Sequence, residues 1–163
     1  MKGAGMAGKK WMHESGKEFD CTALHGKYCT INMSGQDVGY ARVGIISSGP
    51  QYILFQFRGK RGLAAKAFIK DITEVKMTER KLKKETELIV EDWDDEVNPF
   101  CYFVGERCDI HMHQTRMFEA TPGFFGAKIL YVDSQNHLIR IKENSKQFNV
   151  SISMICGIMQ SVY

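Results

Sequence analysis

At 163 residues the chain has room for one ordinary domain or two small ones, and an apolar fraction of 44% is normal for a packed protein. A net charge of +3 is too small to identify a polyanionic partner or to exclude one. No apolar run approaches the roughly 20 residues that cross a bilayer, and the first residues lack the hydrophobic centre of a secretory signal, so a cytoplasmic protein with no membrane partner is expected.

Fifteen Gly against three Pro, with Val, Ile, Phe and Tyr in short bursts, favour strands and turns over long helices. Residues 1–18 are Gly-rich and basic and read as a flexible tail in which only Trp11 and Met12 look able to dock. "KYCTINM" then alternates Cys29, Ile31 and Met33 against Tyr28, Thr30 and Asn32, the period of a strand with one buried face. "SGQDVG" is a turn, "YARVGIIS" a second strand, "SGPQ" a turn and "YILFQFR" a third strand. "GKRG" reads as a hairpin loop whose glycines supply positive φ. "LAAKAFIKDITEVKM" closes the set as a strand that bends sharply and resumes.

Residues 78–100 form a charged linker. "TERKLKKETE" suits a short helix capped by Thr78, or an exposed strand by its Lys/Glu alternation, "LIV" suits a strand leaving the first copy, and "EDWDDEVNPF" an acidic lead into the second, with Trp93 as an anchor between the copies rather than a ligand platform. The same signals then recur in the same order. "RCDIHM" repeats the first strand: Gly26, Cys29, Ile31 and Met33 become Gly105, Cys108, Ile110 and Met112, a constant shift of 105 − 26 = 79. "HQTRMFEATPGFFG" is a longer excursion, and "AKILYV", "DSQN", "HLIRIK", "ENSK" and "QFNVSISMICGIMQSV" supply the remaining strands, turns and closing bend. The expected fold is mostly β: two tandem five-stranded small barrels, 19–77 and 101–163, whose closure would remove exposed edges.

"GKYCTINMSGQDVG" with "FIKDITEV", and "GERCDIHM" with "ILYVDSQNHLIRI" and "ISMICGIM", resemble the Sm-like family of small RNA-associated barrels, a spacing shared with other SH3-like barrels. The resemblance implies a non-enzymatic RNA-binding module that assembles as a homo-oligomer through its edge strands. It carries over only in part. RNA-gripping members place Asp and Asn before the third strand and Arg-Gly in the closing bend; the first copy has neither, and the second has Asp133, Asn136 and His137 but no Arg at the bend.

Three features are candidates for contact with RNA or single-stranded nucleic acid. Arg58, Lys60 and Arg61 place cations on a hairpin that phosphates would attract. Asp133, Asn136 and His137, with Arg140 beyond, offer polar groups to a base edge, although Asp and Asn also form turns for local reasons. Phe124 and Phe125 beside glycines could stack on bases or fill a core. The five cysteines are odd in number, and Cys29, Cys108 and Cys156 fall on apolar faces, which argues against a disulfide framework. Neither Cys21, His25 and Cys29 nor Cys108, His111 and His113 has zinc-ligand spacing, so no metal and no cofactor are expected. Without a nucleophile motif, a phosphate loop or a distinct carboxylate pair, the chain reads as a non-enzyme. The competing reading, drawn from the acidic run Glu91–Glu96, is a scaffold that binds a partner protein or sequesters a small anionic ligand and is of viral or mobile-element origin.

Overall fold

A computed structural model describes residues 10–12, 21–34, 39–113 and 123–162. The chain is mostly β with antiparallel ladders, and it divides into two compact units, Met1–Trp93 and Asp94–Tyr163.

In the first unit the strands are β1 (Lys10–Met12), β2 (Tyr28–Met33), β3 (Gly39–Ser48), β4 (Tyr52–Phe57), β5 (Lys60–Ala65) and β6 (Ile69–Glu74), in the spatial order β1-β6-β2-β3-β4-β5. Alternation sends Cys29, Ile31 and Met33 of β2 inward, to the face that also carries Val43, Ile45, Phe55 and Ile72, all essentially excluded from solvent. A 3-10 turn, Lys66–Phe68, separates β5 from β6 and sends β5 beside β4 and β6 between β1 and β2, toward opposite sides of the unit's sheet.

The second unit repeats the arrangement with β7 (Arg107–Met112), β8 (Gly123–Asp133), β9 (Leu138–Glu143), β10 (Lys146–Ser151) and β11 (Ile155–Gln160), ordered β11-β7-β8-β9-β10. Its 3-10 turn, Ile152–Met154, lies between β10 and β11 as the first unit's lies between β5 and β6. The repetition extends to single hydrogen bonds. Gly26 N–H donates to Ile45 O at 2.9 Å and Gly105 N–H to Ile129 O at 2.8 Å; Lys66 N–H donates to Gln51 O at 2.8 Å and Ile152 N–H to His137 O at 2.8 Å. Gly26 and Gly105 hold φ of 83° and 86°, which only glycine adopts without strain. The offset between copies is 105 − 26 = 79 at the start, 129 − 45 = 84 after the first hairpin and 137 − 51 = 86 from the next turn onward. With those offsets the β-bulges coincide too: Cys29/Ile31 matches Cys108/Ile110, and Ile45/Ser47 matches Ile129/Tyr131.

Four expectations are corrected. The five-stranded sheets are not closed barrels: among the described residues no ladder joins β5 to β6 or β10 to β11, because a 3-10 hinge stands where a hairpin would pair them. Lys10–Met12, expected in a flexible tail in which only Trp11 and Met12 look able to dock, forms a strand antiparallel to β6 (Trp11 opposite Ile72), since that side of β6 offers unpaired backbone groups to any adjacent chain. "LIV" is not a strand. Residues 86–93 instead lie across the outer face of β3 and β4: Leu88 rests on Gly44, Trp93 on Gly49, and Glu91 N–H donates to Ile46 O at 3.1 Å. That cover explains why Ile46 and Leu54, on the face opposite Ile45 and Phe55, are also buried. Finally, Phe124 and Phe125 are part of β8, not of a loop.

A candidate anion-binding cleft in the first unit

Three local devices converge on one cleft. The first is the β4–β5 hairpin, whose two connecting residues, Arg58 and Gly59, have φ of 49° and 80°. Positive φ at both positions matches the right-handed twist of the flanking strands, which is why such a tight turn forms. The second device is the bulge in β3, where Ala41 and Arg42 together oppose Thr30; Arg42 has φ of 56°, and its N–H points at Thr30 Oγ1, 3.4 Å away. Bulges re-aim side chains, and this one turns a cation out of the sheet. The third is the single-turn helix α1 (Glu79–Leu82), started by Thr78, whose side chain accepts from Lys81 N–H at 3.3 Å as the sequence predicts.

Between them lies an open cleft of about 520 Å³, lined by Thr30, Ala41, Arg42, Phe57, Arg58, Met77, Lys81, Lys84 and Glu85. Four cations face one carboxylate there, and among the described residues none of the four is in an ion pair. Glu85 Oε2 accepts the backbone N–H of Arg58 at 3.2 Å, and so holds the turn. The Arg58 guanidinium stands 5.1 Å from the centre of the Phe57 ring, a cation–π distance that steadies it without neutralising it. The cleft can therefore attract an anion and offer it apolar surface from Phe57 and Met77.

The predicted residues are distributed unevenly. Arg58 lines the cleft. Lys60 is exposed at the start of β5, and Arg61, also in β5 and not in the hairpin loop as expected, pairs with Glu91 on the covering segment. In the second unit Asp133, Asn136 and His137 do share a turn, but Asp133 is occupied there: it accepts from Asn136 N–H at 3.1 Å and from Asn136 Nδ2 at 2.8 Å. Those bonds hold its carboxyl below the usual carboxylate range. His137 has φ of 53° and is exposed. Arg140 bonds across to β10, with Nε 3.2 Å from Gln147 Oε1 and Nη1 2.9 Å from Asn149 Oδ1. Phe124 packs on Phe148 at 5.6 Å between ring centres, whereas Phe125 is 64% exposed, with the His111 ring edge-on at 6.5 Å.

Sequence reasoning missed Thr30, Arg42, Lys81 and Lys84. A signal existed for Arg42: aligning the copies at the offset of 84 sets it against Gly126, which has φ of 65° at the equivalent bulge. There Asp109, the counterpart of Thr30, accepts Gly126 N–H at 2.8 Å. The counterparts of Phe57 and Arg58 at the offset of 86 are Glu143 and Asn144, so the equivalent place in the second unit has Gly126 and Asn144 for the two arginines and carboxylates, Asp109 and Glu143, for Thr30 and Phe57.

The cysteines carry no disulfide. Burial pushes the Cys29 and Cys108 thiols up to about 12 and Cys156 to about 11, so they are protonated and poor nucleophiles at neutral pH. Among the described residues no three His, Cys, Asp or Glu side chains gather to hold a metal ion, and no helix is long and apolar enough to cross a membrane. In comparisons with protein-family models, curated proteins and solved structures, none matches the chain.

Proposed function

We propose that the chain is a non-enzymatic binding module that holds RNA, or another single-stranded nucleic acid, by its phosphates in the cleft of the first unit. The observation that carries this reading is the gathering of Arg42, Arg58, Lys81 and Lys84 around one opening with only Glu85 against them. A flexible polyanion gains from such a group by releasing counterions, and an aromatic wall such as Phe57 suits a base beside the phosphate. Phe125 is a second exposed aromatic on which a base could stack. The Asp133 turn contributes less, since reading a base edge would require breaking its bonds to Asn136. The strand order shared by both units supports descent from one duplicated small-barrel ancestor of the Sm-like or SH3-like kind.

A second reading, a small anionic ligand, draws on the cleft's size: about 520 Å³ lies within the roughly 300–1,000 Å³ usual for small-molecule sites. Fluorescence polarisation separates the two. Labelled mixed-sequence RNA should bind the full chain at low salt, and the triple change Arg58→Glu, Lys81→Glu and Lys84→Glu should abolish binding. Changing Lys60→Glu, outside the cleft, should leave most of it. RNA that shows no association at low salt would end the nucleic-acid reading.

A further inference from the structure

Among the described residues of the first unit, the two non-glycine positions with positive φ are Arg42 at 56° and Arg58 at 49°, and both line the same cleft. Left-handed backbone is unfavourable for a residue with a Cβ, and long side chains gain none of the local hydrogen bonding that lets Asn or Asp tolerate it. The second unit shows what each position holds without that load: its bulge has Gly126, φ 65°, and its hairpin has Asn144, φ 57°. One fold thus meets the same two backbone demands twice, once with the residue types that satisfy them at least cost and once with arginine. Strain of this kind persists where the side chain has a task.

We propose that Arg42 and Arg58 form a guanidinium clamp for a single phosphate group, and that each chain carries one such site. The proposal rests on the phosphate-binding reading of the cleft and goes beyond it by assigning the grip to two particular residues and by excluding the second unit. Arginine's planar fork matches a phosphate's oxygens pairwise, which a lysine ammonium does not. Lys81 and Lys84, on and just after α1, add field without fixed geometry. In the second unit the two arginine positions are Gly126 and Asn144, which bring no guanidinium, and the carboxylates Asp109 and Glu143 at the equivalent place repel a phosphate.

The experiment gives the first unit the second unit's residues in the full chain: Arg42→Gly and Arg58→Asn, separately. Each variant should melt about 2–4 °C higher, because backbone strain is relieved. Each should also bind a labelled RNA of about 12 nucleotides some ten- to a hundredfold more weakly. Arg42→Lys and Arg58→Lys, which keep the charge, should lose affinity as well. Calorimetry with pyrophosphate should give one site per chain; RNA binding much tighter than pyrophosphate would make nucleic acid the source of the phosphate, and equal affinity would make it a free phosphate ester. Lysine variants that bind as well as wild type, or a second equal site, would overturn the clamp. Should Arg42→Gly and Arg58→Asn bind normally while Lys81→Glu with Lys84→Glu abolishes binding, the clamp fails and the cleft reading stands. Wild type that binds neither probe would overturn both.

Discussion

Replacing Gly62 by Ala should destabilise the hairpin that presents Arg58. Gly62 lies opposite Phe55 in the β4–β5 ladder, and a Cβ built on it would stand 2.2 Å from the ring's Cζ, where ordinary contact begins at 3.4 Å. The ring must therefore move by about 1.2 Å, the difference between those distances. The ring has little room: Phe55 is 0% exposed, and the Tyr40 ring stands 4.7 Å from it between centres. Overpacking of this degree costs about 1–3 kcal/mol. Against it, alanine restricts the unfolded chain and favours a strand by less than about 1 kcal/mol. The net expectation is a loss of about 1–2 kcal/mol, read as a lower urea midpoint at unchanged slope. In a Phe55→Leu background, where the clashing ring atoms are gone, the same change should cost less, with a coupling of at least about 0.5 kcal/mol. Gly62→Ala as stable as wild type, or equal costs in both backgrounds, would refute the reasoning.

Asp109→Ala should cost about 1–3 kcal/mol in urea denaturation, because its Oδ1 accepts both Gly126 N–H at 2.8 Å and Ser161 Oγ at 3.0 Å. Raising pH should destabilise the fold. The native state keeps Cys29 and Cys108 protonated to about 12, so their contribution is complete below the ordinary value of 9.0 and is lost as pH climbs from there through about 12. Each group steepens the decline by up to about 1.4 kcal/mol per pH unit, and Cys29→Ala with Cys108→Ala should flatten it; a flat wild-type profile from pH 8 to 10.5 would contradict this. At acid pH the effect comes from His111, whose pKa is lowered by burial and only partly restored by Asp109. Its neutral form belongs to the native state, so stability is lost as pH falls below 6.5 through the lower native value, and an imidazole NMR titration should show that depressed value directly.

The strands were legible because each buries one face or both against a packed neighbour, and periodicity reports burial. "KYCTINM" and "RCDIHM" are found as β2 and β7 for that reason, and the shared spacing exposed the second copy. Closure of the sheets was not legible. The sharp bend in "LAAKAFIKDITEVKM" was legible and is the 3-10 turn between β5 and β6, but whether the strands it joins pair with each other depends on where two edges meet, which no local pattern encodes. Nor was the covering role of residues 86–93 visible: Leu88 and Trp93 look like strand and anchor, and only Gly44 and Gly49, far away in sequence, show what they rest on. The candidate site was half legible. Arg58 announces itself in a hairpin, and the cap at Thr78 was read correctly, but the lysines after it read only as part of a charged linker. Arg42 hides in a strand because a bulge leaves no mark in a sequence unless a second copy places glycine at the same point.

The most direct measurement is photo-crosslinking of bound single-stranded RNA to the full chain at low salt, followed by mass mapping of the adducts. Adducts concentrated on Phe57, Arg58 and residues 77–85, and displaced by pyrophosphate, are the expected result. Adducts confined to 123–140, or none above a competitor-saturated control, would contradict the assignment of binding to the first unit's cleft.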